Sequence, residues 1–126
     1  MKEVIVVFLG GGLGSVSRYL VGVMALSYFP QLRFPLGTFI VNCLGCFLIG
    51  LVITVLQTKF ANPDLYRLLL VTGFLGVFTT FSAFGYEVVY LLRSSDLSLA
   101  LLYSLSSLIL GGICAYLGIL SVKSLT

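Results

Sequence analysis

Between Gly73 and Phe84 the chain reads Gly-Phe-Leu-Gly-Val-Phe-Thr-Thr-Phe-Ser-Ala-Phe. Hydroxyl donors at Thr79, Thr80 and Ser82 alternate there with the rings of Phe78, Phe81 and Phe84. A hydroxyl donates a hydrogen bond, and an aromatic ring carries partial positive charge on its edge. Both can touch an anion without a formal positive charge that would trap it. Phe81 and Phe84, three residues apart, share a face if the chain is helical there. A break at Gly76-Val77 would free main-chain carbonyls, which suit a hard cation such as Na⁺. The run lies inside a membrane-length apolar segment. Irregular backbone survives at that depth only when buried in protein or lining an aqueous cavity.

Three other segments place polar groups in apolar surroundings. Thr38, Asn42, Cys46 and Gly50 recur at fourth-residue intervals, making one small and polar helix face. The Asn42 amide either joins helices by a hydrogen bond or presents its NH₂ group to an anion, and spacing leaves both open. Gly10, Gly14, Arg18 and Gly22 form a second fourth-residue stripe. Its glycines invite close helix approach. Arg18 lies about 21 Å along a helix from Val4. Its guanidinium either snorkels to the interface or faces a wet vestibule that gathers anions. Tyr103 and Ser107 stand one turn apart on a stripe continued by Gly111 and Ala115. We read the first two as pathway hydroxyls and the last two as packing.

Other chemistry is thin. The three cysteines, Cys43, Cys46 and Cys114, lie in apolar runs with no histidine to complete a zinc site, and are read as packing residues. Without histidine there is no imidazole base for a serine or cysteine nucleophile, so no enzyme is expected. Gly10 to Gly14 follows no strand and is not a nucleotide loop. Of the four acidic residues, only Glu87 lies within an apolar run, late enough to be expected in solvent at the interface.

The elements that must position these groups are membrane spans. The chain has 126 residues, of which 60% are hydrophobic and 9% charged, and its mean hydropathy is +1.19. A soluble domain of that size could not hide so much apolar surface. Crossing hydrocarbon takes about 20 helical residues. Four runs suffice: residues 4–28, 36–56, 65–92 and 97–122. They give an all-α, single four-span membrane domain over residues 1–126, with short loops that set consecutive spans antiparallel. The first run is too long for a cleaved signal peptide. With both termini on one side, Lys2, Lys59, Arg67 and Lys123 face Arg33 and Arg93 across the bilayer. That bias favours cytoplasmic termini but is weak enough to permit both orientations. The basic residues are scattered, so no nucleic-acid partner is expected.

Taken together, these segments resemble the CrcB/Fluc family of small bacterial fluoride channels from end to end. The family's first-span glycines and Arg-Tyr are matched by Gly11, Gly12, Gly14, Arg18 and Tyr19. Its second-span pattern is matched by Gly37, Thr38, Asn42 and Gly45, and its third by residues 73–84. The resemblance implies a third helix broken at mid-membrane and an antiparallel, dual-topology dimer in the bacterial inner membrane, with two fluoride pathways at the interface. It implies fluoride contacts from Asn42, Phe81 and Phe84, a pathway lined by Ser82, Thr38, Tyr103 and Ser107, and Arg18 beside a vestibule. It also implies a structural Na⁺ held by the backbone carbonyls of Gly76 and Thr79 from both subunits. Val77 and Ala83 stand where the family commonly has glycine and threonine. A non-identical second subunit could supply what they lack, so the partner is either a second copy or a related chain. The rival reading is a small four-span multidrug or guanidinium-type exporter, which should carry a first-span glutamate that this chain does not have.

Overall fold

The computed structural model describes residues 1–123, which form helices and, among the described residues, no strand. Four spans are long and apolar enough to cross a membrane, making this a multi-pass membrane protein. Helix α1 is Lys2–Tyr28 and α2 is Leu36–Lys59. The third span, Asp64–Arg93, is assembled from pieces. These are α3 (Asp64–Arg67), a π-helical stretch (Leu68–Leu75), α4 (Gly76–Phe78) and α5 (Phe81–Arg93). Helix α6, Leu97–Lys123, is the fourth span. The expected boundaries hold to within a turn.

The loop before α6 shows how a short connection is fixed. The Asp96 carboxylate accepts from the Leu99 N–H at 3.3 Å, capping the helix, and pairs with Arg33 Nη1 at 3.3 Å. One side chain thus starts a helix and ties two loops on the same membrane face. Ser95, just before it, takes a left-handed φ of 58°.

Sequence neighbours are antiparallel, yet the most extensive contacts join alternate spans, α2 with α6 and α1 with the π-helical stretch. Their register shows these pairs to be parallel. Gly10 meets Leu69 and Gly73, and Gly14 further on meets Phe74 and Phe78. In the other pair Cys46 lies against position 111 of α6, Gly50 further on abuts Ala115, and Gly118 abuts Leu51. A Cβ at any of these four glycines would collide with main-chain atoms of the facing helix. In hydrocarbon, where apolar side chains gain little by leaving lipid, such backbone proximity is a main source of helix association. The first-span glycine stripe therefore acts as its spacing implied. Large apolar side chains such as Phe8, Leu13, Leu105 and Leu108 remain outward-facing, suited to lipid or a partner.

The third span is interrupted as expected, but not at Gly76-Val77. Gly76 and Val77 lie in the short helix α4. The extended residues are Thr79 (φ −76°, ψ 157°) and Thr80 (φ −148°, ψ 121°). The physical reason is local. Two consecutive β-branched residues favour extended backbone, and the Thr80 hydroxyl accepts from the Ala83 N–H at 3.3 Å to cap α5. Glycine permits many conformations but imposes none. Val77 needs no left-handed backbone, since Ser95 is the one non-glycine residue with positive φ among those described. Its side chain packs instead beside Gly11.

Candidate functional site

The break organises the site, and Asn42 holds it open. From α2 the amide Nδ2 donates to the Thr80 carbonyl at 3.1 Å, while Oδ1 accepts from the Thr80 N–H at 2.9 Å. Asn42 thus stands in for a neighbouring peptide and satisfies both main-chain groups of an extended residue. The interhelical bond left open by spacing is present. One Nδ2–H remains beyond it, because a primary amide carries two donors.

Diverting these N–H groups changes what the carbonyls can do. In an unbroken helix the Thr80 N–H would reach Gly76 and the Ala83 N–H would reach Thr79. Here they go to Asn42 and to the Thr80 hydroxyl. The carbonyls of Gly76 and Thr79 lose their helical donors, and both residues line the same open cavity. Oxygen acceptors of this kind fit a hard cation. Gly45 makes the arrangement possible, since a Cβ there would overlap the Thr79 methyl group.

Two cavities meet at Thr80. The larger, about 610 Å³, is bordered by Asn42, Gly76, Thr79, Phe81, Phe84 and Ser107. Phe81 is 85% exposed, and its ring centroid lies 6.0 Å from that of Phe84. The Ser107 Oγ is buried and, among the described residues, has no hydrogen-bond partner. The smaller cavity, about 450 Å³, is bordered by Arg18, Thr38, Ser82 and Ala83 as well as Thr80. Arg18 therefore faces a cavity, and it makes no ion pair among the described residues. Ser82 Oγ lies 3.5 Å from Thr80 Oγ1, so the hydroxyls continue along the cavity wall. Ala83, lacking a hydroxyl, adds no donor beside them.

Tyr103 and Ser107 do not work as a pair. Tyr103 is fully buried, and its hydroxyl donates to Glu87 Oε2 at 2.7 Å. Thr38 donates to the other oxygen, Glu87 Oε1, also at 2.7 Å. The ring of Tyr103 packs edge-on against Phe34 and lies 5.2 Å from Phe84. Glu87 is thus half-buried and gripped by α2 and α6, not free in solvent as its late position suggested. Reading position alone missed it. Its face offered a signal: Thr80, Phe84 and Glu87 fall at i, i+4 and i+7, so the carboxylate shares the side of α5 that turns inward.

Chemically, the described residues gather neutral donors, ring edges and one unpaired guanidinium on a continuous surface. No group of three acidic, histidine or cysteine side chains converges on a metal position among them.

The CrcB-like protein, Camphor Resistance (CrcB) family profile matches residues 5–119. A protein of Gloeothece citriformis is 48% identical over 123 residues, covering 98% of each chain. One of Methylobacillus flagellatus is 43% identical over 98% of this chain and 96% of its own. One of Flavobacterium psychrophilum is 40% identical over 99% of this chain and 100% of its own. All three are named fluoride-specific ion channel FluC. With a family match across all four spans and relatives this similar over their whole length, the chain belongs to the CrcB family.

Proposed function

We propose that this chain is a fluoride-selective ion channel, not an enzyme, giving passive fluoride efflux and so resistance to fluoride toxicity in a bacterial inner membrane. The observation that carries the proposal is the set of uncharged donors around the break: the spare Asn42 N–H, the Phe81 and Phe84 edges, and the unpartnered Ser107 hydroxyl. Fluoride is small and strongly hydrated, so a pore must replace its water. Neutral donors do so without binding too tightly for release. The names of the relatives point to the same ion.

In this reading Arg18 draws anions into the smaller cavity, where Thr38, Thr80 and Ser82 offer hydroxyls. The ion passes the break beside Asn42 and meets Phe81, Phe84 and Ser107 on the far side. Glu87 fixes Thr38 and Tyr103 by accepting their hydroxyl protons in hydrogen bonds.

A second subunit completes the pathway. The larger cavity opens on the protein surface with Phe81 almost wholly exposed beside polar Asn42 and Thr79, a poor face to present to lipid. The dimer is antiparallel, of two copies or of this chain with a related one, consistent with the weak charge bias. The freed Gly76 and Thr79 carbonyls from both subunits would hold a structural Na⁺, whose charge would draw opposed backbone dipoles together. The exporter reading needs a membrane-embedded first-span carboxylate, whereas Glu3 stands exposed in the first turn of α1 beside the N-terminus, and the family relationship does not support that reading.

The test is anion efflux from liposomes containing only this protein. Fluoride should leave rapidly with little chloride, and Phe81→Ala should slow fluoride release at least about tenfold, the loss of about 1.4 kcal/mol of stabilisation. Equal fluoride and chloride fluxes would overturn the assignment. Release that depends strictly on a proton gradient and on Glu87 would favour the exporter.

A further inference from the structure

We propose that the cavity between the α1–α2 loop and α5 binds a monovalent aralkylammonium cation, with the Glu87 carboxylate as its counter-ion and the surrounding rings as its wall. The test reads binding alone and stands whatever ion the chain conducts.

The cavity encloses about 340 Å³ and is bordered by Phe29, Phe34, Tyr86, Glu87 and Tyr90. That volume falls within the range of about 300–1,000 Å³ typical of small-molecule sites. Glu87 is half-buried and, among the described residues, makes no ion pair. Its two hydrogen bonds come from the neutral hydroxyls of Thr38 and Tyr103, which position the carboxylate without cancelling its charge. The two oxygens of a carboxylate offer about four lone-pair positions, so each oxygen of Glu87 keeps room for another donor. An ionisable side chain inside a span ordinarily has a charged or polar partner that answers it.

The nearby cations do not fill that role. Arg33 borders the cavity but is paired with Asp96 at 3.3 Å. Arg18 borders the neighbouring cavity instead. The wall selects an organic cation over a metal, because rings and aliphatic side chains make up most of it, whereas a hard metal ion wants a shell of oxygens. Tyr86 and Tyr90 stack one turn apart on α5, with centroids 6.4 Å apart, and both remain exposed. Ring faces attract ammonium groups. A primary ammonium brings three N–H donors for the open positions on Glu87, and an aryl group suits the apolar remainder.

The probe is para-fluorobenzylammonium, followed by fluorine NMR line broadening as purified protein in an uncharged detergent is titrated in. Wild type should broaden the line saturably beyond empty micelles, and excess benzylammonium should reverse it. Para-fluorobenzyl alcohol, the same shape without the charge, should bind about tenfold more weakly or less, having lost the charge-assisted hydrogen bond. Glu87→Gln should weaken the ammonium by a similar factor while leaving the alcohol unchanged, with elution on size exclusion like wild type showing that it is folded. Tyr90→Leu, which keeps apolar bulk but removes a ring face, should weaken the ammonium about two- to fivefold. The comparison of ligands on wild type needs no substitution. Equal affinity for ammonium and alcohol, tighter binding of para-fluorobenzoate, no broadening beyond empty micelles, or ammonium binding untouched by Glu87→Gln would each overturn the proposal.

Discussion

Replacing Asn42 by alanine should let water reach the amide of Thr80. In the native chain that N–H donates to Asn42 Oδ1 at 2.9 Å, and the Thr80 carbonyl accepts from Nδ2 at 3.1 Å. The alanine variant leaves both main-chain groups without partners beside the 450 Å³ cavity that Thr80 lines. An unsatisfied buried group costs about 1–3 kcal/mol, so the pair is worth about 2–6 kcal/mol if nothing rearranges. The loss has a ceiling, because the Thr80 N–H can turn back toward Gly76 and heal the helix. Healing requires Thr79 and Thr80 to abandon extended geometry and would bury the freed carbonyls again. Hydrogen–deuterium exchange of the protein in detergent separates the outcomes. Loss of the bond at Thr80 N–H alone, at about 1–3 kcal/mol, accelerates its exchange by roughly 5- to 140-fold. Healing leaves that amide protected, newly protects the Phe81 and Ser82 amides, which would then donate to the Val77 and Phe78 carbonyls, and abolishes fluoride efflux. Unchanged Thr80 exchange with wild-type efflux would refute the reasoning, because Asn42 would then be neither splint nor ligand.

Gly45→Ala places a methyl where the Thr79 methyl now sits, and overpacking of this kind costs about 1–3 kcal/mol, read as a lowered thermal midpoint in detergent. Gly12→Ala, where a Cβ meets nothing within 4 Å, serves as the matched control and should leave the midpoint unchanged. Tyr103→Phe keeps the ring packing on Phe34 and Phe84 but removes the 2.7 Å bond to Glu87. A hydrogen bond to a charged group contributes about 1.5–3 kcal/mol, and the double variant with Thr38→Val should cost less than the sum because both act on one carboxylate. Exchange of Na⁺ for a larger monovalent cation should lower dimer stability, by about 2.7 kcal/mol if Na⁺ was at a hundred times its dissociation constant. Equal melting in the two salts would remove the Gly76 and Thr79 carbonyls as a cation site.

Composition and hydropathy alone determined the four spans, their boundaries to within a turn, and the membrane as solvent, because the length of an apolar run and the thickness of hydrocarbon are both readable without coordinates. The residues of the site were also legible as types: amide, hydroxyls and rings at depths where hydrocarbon tolerates none unpartnered. Tertiary structure alone decided their partners. Periodicity places Asn42 on a face of its own helix, but that its two amide ends meet both main-chain groups of Thr80 depends on how α2 lies against the third span. The break sits at Thr79 and Thr80, not Gly76, because a capping hydroxyl and a facing amide fixed a position that glycine merely permitted. Glu87 read as solvated from its place near a span end, yet two hydroxyls from other helices hold it. The partners of Asn42 and Glu87 lie 16 to 49 positions away in the chain, and local patterning carries no information at that range, whereas the Thr80 cap reaches only to Ala83.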